Sequence, residues 1–455
     1  MRGGARPCAA PGGPVQPSRR ALNLLSVTFA DSGSGAAQVA WTLFTGYRRH
    51  GHRSWLAVNQ MRRRDPDLRY LHGLPDRPAR NPAAPPPRTP AERLKARQAG
   101  EDSLDYPGTW DLLDLVDRPV DILHLHAFAG GYFDLRALPW LSQRCRVVIT
   151  VHDEWAFTGH CMYSFDCRRW EAGCGECPDL GIPHTLAADD SAANLARKAE
   201  IYRCSRYWVA TPCRWMEERV RRSILGARAV EIRTVSQGVD LSLFSPGDRA
   251  QARDRLGLPQ DRIIVGMVAA NLRSSPFKDL ENALAALRLV GAEAPALPLL
   301  VLAVGAEGPP QTIGTVEVRP VGIVTDPDRL AAHYQAMDLF LHPARQENMP
   351  VVFAEAQACG IPVVATAVGG TAEAVSSLWP LPGGGVEVAT ESDATGILVP
   401  PGAPRPLADA LLRLAGEPAL RRRLGANAAA RAASLFDADA TIAAYLDWFG
   451  EIADE

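Results

Sequence analysis

The 455-residue chain lacks an excess of charge of either sign: 49 Lys and Arg stand against 51 Asp and Glu, a formal net charge of −2. A protein that grips nucleic acid through its phosphates shows a basic surplus, so nucleic acid is not an expected partner. The chain also lacks a long apolar run. A membrane-crossing helix needs ~20 apolar residues, and the longest uncharged stretch near that length, Ala356 to Ala372, is interrupted by Gly360, Pro362, Gly369 and Gly370. The opening MRGGARPCAAPGGPVQPSRR carries arginines but no apolar core of the ~7–15 residues that a secretory leader needs. Residues 1–20 therefore read as a disordered tail. No short-period repeat is present. What remains is an ordinary globular composition, 47% hydrophobic and 22% charged, with the cytoplasm as the expected compartment and loose attachment to the inner face of a membrane left open.

Ordered sequence starts near Ala21. ALNLLSVTF is a bounded apolar run, as a buried parallel strand requires. A glycine turn follows in DSGSGAA, then VAWTLFTGYRRHGH with helical spacing, then the strand RSWLAV. This is the opening of a doubly wound α/β domain. Residues 61–103 are rich in proline and arginine and predict a mobile loop. Strands return at VDILHLHA, RVVITVHD and YWVATP, and RTVSQGVDLSLFSPGD reads as an inter-domain connection. A second strand–helix series runs from RIIVGMVAA to IPVVATAVGG and a helical tail. The expectation is two Rossmann-like domains facing a central cleft, at 21–240 and 241–435, with a last helix (436–455) packing back on the first.

The richest segment is Gln346 to Glu373. Glu347 is expected to end a strand, Pro350 to open a helix, and Glu355 to lie inside it. Ligands of open α/β sheets bind beyond the carboxyl ends of strands, and a helix N-terminus there favours an anion. One carboxylate at a strand end and another two turns into the helix suit a ligand with a diphosphate and vicinal hydroxyls, as a nucleotide sugar has. Spacing alone fits two unrelated surface glutamates as well. Gly369 and Gly370 allow close backbone approach to a phosphate, Glu373 sits near the next helix start, and Arg273 and Lys278 occupy the loop after RIIVGMVAA, where they can neutralise a departing diphosphate without a metal.

QENMPVVFAEAQACGIPVVATAVGGTAE resembles the Glu-x7-Glu region of the retaining family-4 glycosyltransferases of GT-B fold, and VGIVTDPDRLAAHYQAMDLFLHPA and TGILVPPGAPRPLADALLRLAGEPALRRRLG resemble that family's flanking segments. VDILHLHAFAGGYFDL, VVITVHDEWAFTGHC and the tract CMYSFDCRRWEAGCGECP are similar to bacterial exopolysaccharide glycosyltransferases of the colanic-acid type. The resemblance implies a UDP- or GDP-linked sugar donor, a glycan or lipid-linked acceptor, retention of configuration and no catalytic metal. It implies that Glu347 faces the donor sugar, that Glu355 holds the ribose, and that backbone amides around Asn348, Met349 and Val351 and those of Gly369 and Gly370 hold sugar and phosphate. Arg273 and Lys278 would bind the diphosphate. His152 would face the reaction centre and Gly35 would border the donor phosphate or acceptor. The chain departs from the family at Glu347-Asn348-Met349-Pro350, where many members read Glu-Gly-Phe-Gly; Pro350 has no N–H to offer. Its first glycine turn, Ser34-Gly35-Ala36, has one glycine in place of two, and the spacing from Arg273 to Lys278 is unusual. Other readings are an epimerase on the same architecture and a binding module without turnover.

Asp153 follows His152 and is expected to orient its ring. His124 and His126 alternate in one strand and point to one side, with a core role as fitting as a cleft role; His342 reads as structural. Cys161, Cys167, Cys174 and Cys177 have the spacing C-x5-C-x6-C-x2-C. With one CxxC, the pattern fits a structural zinc or packed or paired thiols. Trp155, Phe157, Tyr163 and Trp170 around them read as a small local core or as sugar-stacking rings.

Overall fold

The computed structural model describes residues 20–73, 78–126, 128–129, 131–270, 272–382 and 387–455. All but the last residue of the expected N-terminal tail, together with Pro75, lies outside the described residues. The first half runs β1 (Asn23–Ala30), α1 (Gly35–Arg49), β2 (Arg53–Gln60), β3 (Leu68–Tyr70), α2 (Pro90–Gln98), β4 (Ile122–His126), α3 (Leu138–Ser142), β5 (Arg146–Thr150), α4 (Ser191–Arg203), β6 (Tyr207–Thr211), α5 (Arg214–Arg221) and β7 (Ile232–Thr234). The second runs α6 (Arg249–Leu256), β8 (Ile263–Val268), α7 (Leu280–Glu293), β9 (Leu299–Val304), β10 (Gln311–Ile313), β11 (Val316–Gly322), α8 (Pro327–Ala336), β12 (Leu339–His342), α9 (Val351–Ala358), β13 (Val363–Thr366), α10 (Thr371–Ala374), β14 (Gly396–Val399), α11 (Pro404–Gly416), α12 (Pro418–Leu435) and α13 (Ala438–Asp454).

The strands form two seven-stranded sheets, β3-β2-β1-β4-β5-β6-β7 and β10-β11-β9-β8-β12-β13-β14. All pairings are parallel except β10 with β11. Both sheets are doubly wound, with the strand order reversing beside β1 and β4 in the first and beside β8 and β12 in the second. The central strands carry near-continuous apolar runs because helices cover both faces; Leu24, Leu25, Val27, Val147, Val148, Val265, Val301, Val363 and Val364 are all fully buried. Helix α1 starts at Gly35 because the Ser34 hydroxyl accepts from the Ala37 N–H (3.2 Å) and caps it.

Three expectations change. Segment 61–103 is not one loop: β3 extends the first sheet, and α2 is closed by a capping box between Thr89 and Glu92. Asp111 further holds the chain by accepting from the Arg80 and Asn81 N–H groups (2.9 Å each). The inter-domain connection starts later than its sequence suggests, since Ile232–Thr234 form the edge strand β7. Strand β12 stops at His342, so Glu347 lies in the turn beyond the strand, and Pro350 is the N-cap of α9 rather than its first residue.

The two halves share one apolar cluster. Helix α13 lies on α1, with the Tyr47 and Phe449 rings 5.7 Å apart and Ile442 over Gly46, and the same cluster continues through Leu24 and Val39 to Phe340, Phe353 and Val363. Among the described residues no helix is long and apolar enough to cross a membrane.

Candidate functional site

At the strand-order reversals of the two sheets, the turn after β1 meets the start of α9 (Gly35 and Val351), and the loop after β8 meets the turn after β12 (Lys278 and Glu347). Such crevices are where doubly wound sheets bind ligands. Gly35 opens α1 and Val351 opens α9, and a Cβ placed on Gly35 would stand 3.7 Å from the Val351 side chain. Two helix N-termini therefore meet across the crevice, and α9 has no side-chain cap. Their unpaired amides and partial positive charge suit an anion.

Glu347 occupies the turn between β12 and α9. Lys278, from the loop after β8, donates to its Oε1, and His342 Nε2 lies 2.9 Å from the same oxygen. Burial alone would raise this carboxyl, but the Lys278 charge and the His342 bond outweigh it and hold it down at about 2. The site therefore contains an ionised carboxylate with a cation already paired to it. His342, read from sequence as structural, is one of its partners. Glu355 behaves in the opposite way. Burial dominates and lifts its carboxyl to about 7, although the Tyr334 hydroxyl donates to Oε2 at 2.7 Å. The two glutamates of one short segment thus differ in charge state near neutrality because only one of them faces a cation.

Asn348 joins the halves. Its Nδ2 donates to the carbonyls of Val151 (3.1 Å) and His152 (3.3 Å), the Cys213 thiol donates to its Oδ1 (3.3 Å), and its own carbonyl accepts from the Gly370 N–H (2.9 Å). Gly369, with φ +55°, would place a Cβ 1.7 Å from the Glu347 carbonyl, and Gly370 would place one 2.4 Å from that of Asn348. The glycines therefore let the β13 exit lie flat on the Glu347 turn. Met349 packs against the apolar clusters of both halves. Glu373 accepts from the Arg214 and Trp215 N–H groups (2.9 and 2.8 Å), capping α5 across the domain boundary.

His152 follows β5, the neighbour of β4. Its Nε2 lies 3.1 Å from His126 Nδ1, and Gln237 Nε2 lies 3.4 Å from its Nδ1. Burial lowers it to about 4, so the ring is neutral near pH 7. Asp153 does not orient it: its Oδ1 accepts from the Trp155 N–H (2.9 Å), a bond within its own turn. His124 and His126 do share one side of β4, with rings 4.0 Å apart. His124 Nε2 contacts the Thr150 hydroxyl (2.7 Å), which contacts Tyr445 of α13 (3.0 Å). Arg273 is exposed, and among the described residues no contact joins it to the Lys278–Glu347 pair.

Sequence reasoning missed how the Cys-rich segment enters the site. The Asn348 N–H donates to the Tyr163 hydroxyl. The Tyr163 and Phe165 rings lie 4.9 and 6.0 Å from Phe277, next to Lys278. Phe157 packs on Trp170 at 5.2 Å, so these two belong to a local core whereas Tyr163 reaches the crevice.

Residues 262–417 match the family model described as glycosyl transferases group 1. A D-inositol 3-phosphate glycosyltransferase of Mycobacterium tuberculosis (strain ATCC 25177 / H37Ra) is 36% identical over 355 residues, covering 73% of this chain and 62% of that protein. The protein of the same name from Actinosynnema mirum is 34% identical over 245 residues, covering 51% of this chain and 54% of its own length. The chain thus spans about half to two thirds of these curated relatives. Among solved structures, sucrose-phosphate synthase from Thermosynechococcus elongatus superposes with a TM-score of 0.61 at 22% identity, over 94% of this chain and 98% of that one. Anabaena Alr3699/HepE in complex with UDP-glucose gives 0.60 at 16% identity, over 94% and 98%. These likenesses establish the fold as GT-B, two Rossmann-like domains facing a cleft.

Proposed function

From the premise that residues 262–417 are a group 1 glycosyltransferase domain within a GT-B frame, we propose that the protein moves a sugar from a nucleoside-diphosphate sugar to an acceptor hydroxyl with retention of configuration. One observation carries this reading: Glu347, Lys278 and the N-terminus of α9 converge at the strand-order reversal of the second sheet, with Glu355 inside the same helix. The diphosphate sits between the N-termini of α9 and α1, where the amides, Lys278 and Arg273 supply positive charge rather than a bound metal ion. Glu355 receives the ribose hydroxyls in place of Tyr334, and Glu347 faces the sugar. His152, neutral, borders the reacting carbon from the first domain. The acceptor hydroxyl attacks on the side the diphosphate leaves, and a leaving phosphate oxygen takes its proton.

The segments VDILHLHA and VVITVHD and the Cys-rich tract, similar to exopolysaccharide enzymes, favour a growing glycan or lipid-linked oligosaccharide as acceptor, with the protein working at the inner face of a membrane. The name shared by the curated relatives favours a phosphorylated inositol as a second acceptor class.

Thermal stability against UDP, GDP, ADP, dTDP and NAD tests the donor pocket. A ligand that binds only the folded state adds ~2.7 kcal/mol at a hundredfold excess over its Kd. One nucleoside diphosphate is expected to raise the melting temperature and NAD to leave it unchanged; no shift with any diphosphate overturns the reading. With the matching nucleotide sugar, consumption only when acceptor is added separates a transferase from an epimerase, which needs no acceptor, and from a binding module, which consumes nothing.

A further inference from the structure

The Cys-rich segment holds a second assembly of reactive groups, outside the crevice. Cys161, Cys167, Cys174 and Cys177 are all free thiols, and together with His160 and Ser164 they line one cavity of about 20 Å³. That is room for one water-sized particle or ion. The His160 ring faces two of these sulfurs. Its Nδ1 lies 2.8 Å from the His184 carbonyl, which can only accept, so Nδ1 carries the proton. Nε2 therefore turns a lone pair toward Cys177 Sγ (3.3 Å) and Cys161 Sγ (3.5 Å). The ring thus borders the sulfurs as an acceptor for their S–H groups and stays outside the four-sulfur set.

Backbone N–H groups also face two of the sulfurs. The Gly159 N–H donates to Cys174 Sγ, and the Asp179 N–H donates to Cys177 Sγ from two residues ahead. Gly173, Cys174, Gly175 and Glu176 have φ of 122, 58, 89 and 47°, four consecutive residues in left-handed backbone. Two of these are not glycine, and such outliers persist where surrounding structure requires them. Among the described residues no three metal-binding groups already stand at ligand spacing, so an ion entering the cavity would draw the sulfurs inward.

We propose that Cys161, Cys167, Cys174 and Cys177 hold one structural zinc ion, which fixes the Cys-rich segment and with it Tyr163 against the Asn348 turn. A closed set of four sulfurs leaves no open position, so the role is structural. The thiol protons pass to solvent as the metal binds.

The test uses the full chain purified under reducing conditions without chelator. Metal analysis is expected to find one zinc per chain. A strong chelator is expected to release it, to expose four further thiols to alkylation and to make the 154–184 segment protease-sensitive. Cys174→Ser and Cys177→Ser should each lose most of the metal, while Cys204→Ser, an exposed thiol elsewhere, should keep it. If the cluster variants fail to fold, alkylation of the unaltered protein with and without chelator decides. Failure to retain zinc after equilibration with equimolar zinc chloride overturns the proposal. So does equal zinc in soluble Cys174→Ser and Cys177→Ser proteins, or unchanged thiol reactivity on chelation.

Discussion

The side-chain amide of Asn348 donates to the main-chain carbonyl of Val151 at 3.1 Å, across the domain boundary and 197 residues away in sequence. A second bond reaches the His152 carbonyl. The turn carrying Glu347 and the strand end carrying His152 are therefore held by one residue. In this chain the interdomain register is fixed by a side chain, and it depends on an amide that can donate.

Replacing that amide separates donation from size. Asn348→Asp keeps the volume but turns a carboxylate toward two carbonyls that can only accept. Loss of two partly buried hydrogen bonds and the added repulsion should lower stability by about 2–4 kcal/mol. The deficit should shrink as pH falls and the new carboxyl protonates, restoring one donor. Asn348→Ala should lose less than Asp at pH 8. Denaturant melts of the three proteins at pH 5 and pH 8 give the order; Asp matching Asn at pH 8 contradicts it.

Lys278 is expected to be worth more to turnover than to the fold. Its charge keeps Glu347 ionised, and the depressed carboxyl near 2 contributes stability that is complete above the unfolded value of ~4.3 and lost as pH falls through about 2. Lys278→Met leaves a buried carboxylate with only His342, so Glu347 should titrate higher. The melting temperature should fall at pH 7 and less at pH 4. Turnover should drop by about 10²-fold or more, the scale seen when one charge-stabilising donor is lost. Near-normal turnover in a folded Lys278→Met protein would remove Lys278 from the site.

The frame of two doubly wound domains was legible because buried parallel strands announce themselves locally, as in LLSVTF and IIVGMV. The Glu347–Glu355 segment was legible for a similar reason: strand, turn and helix lie next to each other in the chain. What escaped reading depends on contacts between distant segments. Tyr163 looked like part of a cysteine-loop core, yet it meets Asn348 and Phe277. Gln237 carried no signal in a linker, yet it flanks His152. Asp153 misled because adjacency suggested a partner, whereas a carboxylate two residues before an unpaired N–H more readily closes its own turn. Glycines 369 and 370 were read as openings toward phosphate; their nearest constraint is the backbone of Glu347 and Asn348.

A different glycine marks where the chain crosses between domains. A Cβ on Gly238 would lie 2.4 Å from the Ala438 Cα and 2.6 Å from the Asp437 carbonyl oxygen. Here Val239 N–H donates to the Phe436 carbonyl (2.8 Å) and the Ala438 N–H to the Val239 carbonyl (3.1 Å). The obstacles are main-chain atoms, so no rotamer change relieves them. Gly238→Ala should cost about 1–3 kcal/mol by overpacking and loosen α13 from α1. Earlier amide exchange in 438–454 than in β1, measured by hydrogen–deuterium exchange, would report it; exchange as in the unaltered chain would show that the crossing tolerates a methyl group.

Glu355 should couple donor binding to protons. Its carboxyl stands at about 7, raised by burial from an unfolded ~4.3. A raised folded value means that the stability it contributes is complete below ~4.3 and is lost as pH rises through about 7. Vicinal hydroxyls donating to this carboxylate favour its ionised form, so a bound nucleotide sugar should drive the proton off. Affinity should therefore tighten severalfold between pH 6 and pH 8, with close to half a proton released per binding event near pH 7. A nucleotide sugar is the right probe because its bridging diphosphate has no ionisation of its own in that range, unlike a free nucleoside diphosphate. Calorimetric titration in two buffers of different ionisation enthalpy measures the release directly. Glu355→Gln should bind more weakly at pH 8, release no proton and show a flat affinity from pH 6 to 8. If the unaltered protein binds without proton release at pH 7, either the carboxyl is already ionised or the ribose lies elsewhere. An identical flat profile at lower affinity in Glu355→Gln would single out the first of these, because a residue that never meets the ribose would change neither affinity nor proton count.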